Sequence, residues 1–332
     1  MTAAPRLSIG LPVYNGENYL AETLDSLLGQ SYENFELIIS DNASTDGTAG
    51  ICRCYMKQDS RIRYICQPRN IGLAPNHNFL VREARGELFK WADHDDLCAR
   101  DLLASCVDAL DEYPDVVLAY SLTALIDSSG LMTDALEGSL DTASSRAPER
   151  FRSLLYAKAG DEGCGVIRMK VLRKTSLLGS YHRSDRTITG ELVLHGPFYQ
   201  VPDWLYMRRD HPDRVERAGT VRSQCALLDP RRADRLRHPT VRLYAEYVWA
   251  YVAAIQRAPL SDADRYECYR RLIEWVSSRT LPGRTRRAGE PGPGSAKAPL
   301  RQVAAQPVND SGPESARATP DVARDDHGAR HK

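Results

Sequence analysis

Leu7-Ser8-Ile9-Gly10-Leu11-Pro12-Val13, then Leu20, Leu24, Leu27 and Leu28 at helical spacing, then Glu36-Leu37-Ile38-Ile39-Ser40: this stretch decides the fold. A short run rich in branched residues, an amphipathic segment whose leucines share one helical face, and a second apolar run make a βαβ unit. The rhythm continues. Ile62 to Cys66, Leu88 to Ala92 and Val116 to Ser121 read as further strands. Between Ala99 and Tyr113, the spacing of Leu102, Leu103, Cys106, Val107 and Leu110 predicts a helix that Pro114 stops. Such alternation implies an α/β fold, a mostly parallel sheet with helices on both faces.

In open sheets of this kind ligands bind beyond the carboxyl ends of the strands. The segments there are unusually polar: Tyr14-Asn15-Gly16-Glu17-Asn18, Asp41-Asn42-Ala43-Ser44-Thr45-Asp46-Gly47 and Asp93-His94-Asp95-Asp96. Three carboxylates in four residues repel one another unless a cation joins them. Oxygen ligands select magnesium or manganese, which in turn bind diphosphate oxygens. The competing reading is a helix N-terminus, with Asp95 or Asp96 capping a helix that starts near Ala99. Asp41, at a strand tip, is an outward candidate for a nucleobase or ribose, and Tyr14 offers an aromatic face beside it. His94 alternates away from its acidic neighbours, and Phe89 and Trp91 read as core.

The 332 residues carry 44 basic and 44 acidic side chains, with 42% hydrophobic residues, enough to build a core. Zero net charge argues against a nucleic-acid partner. Eight scattered cysteines without a CxxC pair read as reduced thiols. The start, Met1 to Arg6, has no secretory leader pattern, and no run of about eighteen apolar residues forms a membrane span. The expected location is cytoplasmic, with peripheral docking at the inner face of the membrane left open. Asp127 to Arg150 reads as a surface excursion. Leu227 to Leu236, Val241 to Ile255 and Asp262 to Val276 read as C-terminal helices, and 281–332 as a disordered tail too poor in apolar residues to fold.

Four motifs, in order, resemble the family 2 glycosyltransferases: Pro12-Val13-Tyr14-Asn15-Gly16, the run from Ser40 to Thr48, Asn70-Ile71-Gly72-Leu73-Ala74, and the Asp93 cluster. The resemblance implies the GT-A fold over 1–215, followed by a helical extension over 216–280. It also implies a hexosyltransferase-like activity of polysaccharide or glycoconjugate biosynthesis. The donor would be a nucleoside-diphosphate sugar, the cofactor a divalent metal (Mn or Mg), and the outcome inversion at the anomeric carbon. Pro12, Tyr14 and Asp41 would hold the base and ribose, Asp93 the ribose or diphosphate region, and Asp95 the metal. Asn15, Glu17 and Asn70 complete the donor-binding set. The acceptor would be a carbohydrate, a lipid-linked molecule or a small molecule.

Inverting transfer to a neutral alcohol asks for a general base. In the family this is the Asp of a Glu-Asp pair after a glycine-containing loop. Here Gly163-Cys164-Gly165 resembles that loop and Ser184-Asp185 stands in the place of the pair, with Ser184 where the family has Glu. Asp185 is the expected base, Glu191 the fallback, and a helix cap the structural alternative for Asp185. The run from Val201 to Pro212 resembles the closing strand, after which His211 would complete the metal sphere, and Arg208 or Arg209 would neutralise the diphosphate. A nucleotide-dependent dehydrogenase is disfavoured, since no GxGxxG follows the first strand. A catalytically degenerate sugar-nucleotide-binding or scaffold module of the same fold remains the alternative function.

Overall fold

The computed structural model describes residues 4–136, 140–157, 162–212, 214 and 220–280. These fall in one of the two units into which the chain divides, 1–284; the other, 285–332, and the expected disordered tail over 281–332 lie outside the described residues.

Strands β1 (Leu7–Val13), β2 (Phe35–Asp41), β3 (Ile62–Cys66) and β4 (Leu88–Trp91) alternate with helices α1 (Leu20–Leu28), α2 (Thr48–Gln58) and α3 (Leu73–Glu83). Then come β5 (Leu97–Cys98), α4 (Leu102–Glu112), β6 (Leu118–Ile126), β7 (Met132–Leu136), α5 (Ala147–Tyr156), β8 (Val166–Arg168), α6 (Met169–Leu172), α7 (Ser184–His195) and β9 (Phe198–Arg209). Helices α8 (Val221–Leu228), α9 (Thr240–Arg257) and α10 (Asp262–Thr280) follow.

One sheet runs in the order β3-β2-β1-β4-β8-β6-β9-β5, with β7 beside β6. The pairs β2–β3, β1–β2, β1–β4 and β6–β9 are parallel, while β8, β5 and β7 pair antiparallel to their neighbours. Because β8 is antiparallel to both β4 and β6, the strands β1, β2, β3, β4, β6 and β9 all point the same way. Their carboxyl ends form one rim, and the amino end of the reversed β8 joins it.

Alternation along the strands feeds two cores. Leu7, Ile9, Leu11, Leu37 and Ile39 pack with Leu20, Leu24 and Leu27 of α1 and Leu103, Cys106 and Val107 of α4. Ile38, Phe89, Trp91, Leu118 and Ile167 face the other way, onto Leu80 of α3, Phe151 of α5, Leu192 of α7 and Tyr251 of α9. Each fully buried leucine contributes about 1.5–3 kcal/mol. Helices thus cover both faces.

Two boundaries differ from the sequence reading. Strand β6 runs on to Ile126, because β9 pairs with it throughout, with register shifts on either side of Leu122. The helix expected over Leu227 to Leu236 instead ends at Leu228, and a 3₁₀ turn, Pro230–Ala233, follows. Pro230 causes the break, since a residue before proline is driven out of the helical region. Asp229 accordingly is extended, at φ −153° and ψ 115°.

Candidate active site

The rim gathers the polar segments. After β1, Asn15 turns left-handed (φ 52°), a conformation its short amide side chain tolerates. Its Oδ1 accepts from the Thr45 amide at 2.9 Å, and its own amide donates to Ser44 Oγ at 2.9 Å. Gly47 donates its amide to Glu17 Oε2 at 2.6 Å, and Gly16 donates to Thr48 Oγ1 at 2.9 Å. Asn15 and Glu17 therefore bind the β1 loop to the β2 loop. Gly16 has no room for a side chain, since a Cβ there would lie 2.6 Å from His94 Cδ2.

Asp41, read from sequence as pointing outward, is 1% exposed. Its Oδ1 accepts from the Ser44 amide at 2.8 Å and its Oδ2 from the Tyr64 hydroxyl at 2.7 Å, which leaves each oxygen one further acceptor site. Asn42 Nδ2 donates to Asn70 Oδ1 at 3.0 Å, and the same oxygen accepts from the Gly72 amide at 2.9 Å. Pro12 is buried in β1, whereas Tyr14 is 45% exposed at the rim.

The acidic cluster after β4 divides its labour. Asp96 is buried and accepts from the Arg209 amide at 2.8 Å, from Arg214 Nη1 at 3.1 Å and from the Tyr206 hydroxyl. Burial and the charges of Asp93 and Asp95 push its carboxyl up to about 7, against Arg214 and Tyr206. Asp95 pairs with His211 instead, Oδ2 to Nε2 at 2.8 Å. Burial works to raise the Asp95 carboxyl, but His94, His211 and Arg214 outweigh it and hold it below the usual range. Asp93 is half-buried beside them. None of these carboxylates starts a helix, because β5 intervenes and α4 begins only at Leu102, with Asp101 before it.

Asp95 and His211 suit a divalent cation. Ligands at about 2.0–2.2 Å from a six-coordinate ion stand about 3 Å apart when adjacent, and this pair is separated by a similar distance. His211 Nδ1 is buried without a hydrogen-bond partner among the described residues. No group of three or more His, Cys, Asp or Glu side chains forms a metal cage among the described residues, so further ligands would be diphosphate oxygens and water.

Sequence reasoning missed the frame around this pair. Arg209 is fully buried; its Nε donates to the Asp95 carbonyl at 2.9 Å, its Nη2 to Glu22 at 2.7 Å, and its guanidinium lies 4.7 Å from the centre of the Tyr19 ring. Where a diphosphate-neutralising role was expected of Arg208 or Arg209, the donors of Arg209 are committed to the acidic loop, the Asp127 and Ser128 carbonyls and Glu22. Only β9 pairing across the sheet brings it there, and no local signal in the sequence could show that. Lys90, also buried, donates to the Cys164 carbonyl and ties Gly163-Cys164-Gly165 to β4.

Asp185 lies exposed in the first turn of α7, next to Arg183 and the buried Ser184, with His182 and Tyr251 within reach of its charge. Glu191 is 1% exposed and committed: Arg257 Nε and Nη2 donate to it at 2.8 and 3.0 Å, and the Ser176 amide and hydroxyl at 3.0 and 3.1 Å. That geometry removes the fallback base.

The sequence pattern of glycosyl transferase family 2 matches residues 8–176, more than half of the chain. The chain belongs to glycosyl transferase family 2. Glycosyltransferase GlyG of Streptococcus pneumoniae is 34% identical over 113 residues, 34% of this chain and 38% of that protein. Glycosyltransferase GlyA of the same organism is 30% identical over 131 residues, 40% of this chain and 19% of that one. Matches to the first curated relatives cover between 15% and 39% of their length. In structure, S. aureus TarS 1–349, solved with UDP-GlcNAc, aligns with a TM-score of 0.61 at 18% identity, over 82% of this chain and 73% of that one. The family 2 chain thus has the GT-A fold. The matched region stops within α7's approach, so the family pattern itself does not reach Asp185 or His211.

Proposed function

We propose that this protein transfers a sugar from a nucleoside diphosphate to an acceptor hydroxyl or amine, with inversion. The observation that carries the reading is the Asp95–His211 pair, set beside Asp93 on the rim that also carries the Asp41 loop, with the β1 loop between them. Family membership and the shared GT-A fold support it. Residues 1–215 would form the transferase domain and 216–280 a helical extension on the acceptor side.

In this reading Pro12, Tyr14 and Asp41 hold the base and ribose. Asn15, Glu17 and Asn70 fix the loops that present them, and Asp93 borders the diphosphate. Asp95 and His211 would hold a divalent cation, which supplies charge stabilisation to the departing diphosphate. Asp185 takes the acceptor proton as the new bond to the anomeric carbon forms and the bond to the diphosphate oxygen breaks on the opposite face. A base of this kind contributes about 10²- to 10⁴-fold. The second reading, a degenerate sugar-nucleotide-binding module, rests on Ser184 in the place of the family's Glu.

Isothermal titration of nucleoside diphosphates, with and without manganese, tests the site. Cation-dependent binding is expected in the wild type and lost in Asp95→Ala with the melting curve intact. Equal binding with and without the cation would overturn the metal role. Donor hydrolysis or transfer by the same preparation excludes the degenerate module.

A further inference from the structure

Helix α9 exposes large apolar residues in addition to those it buries. Its inner residues Tyr247, Tyr251, Ala254 and Ile255 are buried with residues of α7 and α10, and Leu243 is buried as well. At 100° per residue, Val241, Ala245 and Trp249 fall within 80° of one another on the outer side, and all three are exposed. Val241 is 80% and Trp249 66% exposed, with Tyr244 at the margin at 49%. A surface helix ordinarily turns polar residues outward; here Arg242, Glu246 and Gln256 share the outer side with exposed apolar residues. The segment before it repeats the theme: Leu236 is 95% exposed between Arg235 and Arg237.

The same surface is basic. Between 220 and 249, Arg222, Arg231, Arg232, Arg235, Arg237 and Arg242 stand against Asp229, Asp234 and Glu246, in a chain of zero net charge. The acidic groups are engaged: Asp229 is buried and bound by Arg231, Glu246 by Arg232 and Arg242, and Asp234 accepts from the Leu236 and Arg237 amides. Arg231 and Arg237, although paired with Asp229 and, at 3.5 Å, with Asp234, remain 84% exposed, and together with Arg232, His238 and those two aspartates they line an open cavity of about 510 Å³.

We propose that this face docks on an anionic lipid bilayer, with Leu236, Val241 and Trp249 entering the headgroup boundary and the arginines meeting lipid phosphates. Aromatic and aliphatic anchors interleaved with arginine are what an anionic interface binds. A second copy of the chain would bring the same excess of arginines and be repelled. The face also adjoins the proposed base. His182, three residues before Asp185, meets Gln224 of α8 at 3.1 Å, and its ring lies 5.7 Å from that of Tyr244. On the transferase reading, a docked bilayer would therefore offer a lipid-linked acceptor to the Asp185 side. The docking itself does not depend on that reading.

Vesicle flotation of the full chain tests it, with phosphatidylcholine alone and with phosphatidylcholine mixed with phosphatidylglycerol. Flotation with the anionic vesicles only, weakened by salt and accompanied by a blue shift of Trp249 emission, is expected. Arg235→Gln with Arg237→Gln lowers partitioning about 25-fold, at about fivefold per charge, and Trp249→Ser abolishes the shift; circular dichroism checks that both variants fold. No flotation, equal flotation with neutral vesicles, or unchanged partitioning of the double variant overturns the proposal. So does a dimer in light scattering that shields Trp249 from quencher before vesicles are added. Nucleoside-diphosphate binding by the same preparation reports on the donor site separately.

Discussion

Arg257 holds the buried Glu191 carboxylate, and its removal gives the sharpest test of what Glu191 does. Of the four donors on that carboxylate, Arg257 supplies two, at 2.8 and 3.0 Å, and both are charged. Each such bond is worth about 1.5–3 kcal/mol. Arg257 is itself 40% exposed, so water follows into the space it vacates in Arg257→Ala and offsets part of the loss. The expected destabilisation is about 3 kcal/mol, at the low end of what breaking a buried pair costs. In a folded unit spanning residues 1–284, at about 2.1 cal/mol/K of unfolding entropy per residue, that lowers the melting point by about 5 °C. The double variant Arg257→Ala, Glu191→Gln no longer buries an unpaired charge and is expected to recover about 1 kcal/mol or more relative to the sum of the single changes. Urea unfolding of the four proteins measures the cycle, with turnover assayed well below the lowest melting point. A Glu191→Gln variant with an unchanged melting curve and no turnover would make Glu191 the base after all.

The other predictions concern the rim and its supports. Asp185→Asn is expected to leave the donor dissociation constant unchanged and lower turnover by about 10²- to 10⁴-fold; parallel loss of donor binding and stability would make Asp185 a structural helix-end residue. Gly72 adopts φ +92° against Leu228, and a Cβ would lie 2.5 Å from the Leu228 carbonyl oxygen. Gly72→Ala is therefore expected to cost about 2 kcal/mol or more in urea unfolding, and a loss under 0.5 kcal/mol would refute that packing. Burial pushes the His77 imidazole down from 6.5 to about 4 while its Nδ1 stays 2.9 Å from the Leu73 carbonyl. The folded state thus binds its proton later than the unfolded one. The His77 contribution to stability is complete above pH 6.5 and lost progressively as pH falls toward 4, so His77→Gln flattens the acid limb of the stability profile between those values.

Local pattern carried the first half of the fold. The βα repeat from Leu7 to Glu112 is written in residues close in sequence, where leucines three and four apart must share a face and alternating strands must feed two cores. Long-range pairing was not so written. Nothing between Gly163 and Arg209 announces that β8 runs backwards between β4 and β6, or that β9 lies beside β6, yet those pairings carry His211 and Arg209 to the acidic loop. The acidic cluster was legible as a site, but the physical basis of its internal division was not. Residue type alone makes the three aspartates equivalent; the family resemblance singled out Asp93 and Asp95, and the burial of Asp96 against Arg209, Arg214 and Tyr206 is what sets it physically apart from Asp95. Asn15 and Glu17 show the same limit. Their residue types mark a polar rim, while their partners, Thr45 and Gly47, show them binding loop to loop.

That division explains how so crowded a cluster is tolerated. A buried carboxylate without partners is unstable, and three together are worse. Asp96 is stabilised by groups from β9 and the residues just after it, which also lock the loop in place through the Arg209 bond to the Asp95 carbonyl. With the backbone of Asp95 fixed from one side, its carboxylate needs only one further partner, and His211 supplies a proton donor that a divalent cation can replace. The arrangement therefore does not require a metal to fold. It follows that stripping cations with a chelator is expected to leave the melting point of the ligand-free protein within about 1 °C while abolishing cation-dependent diphosphate binding, the reverse of a structural metal site, whose loss unfolds the domain it holds.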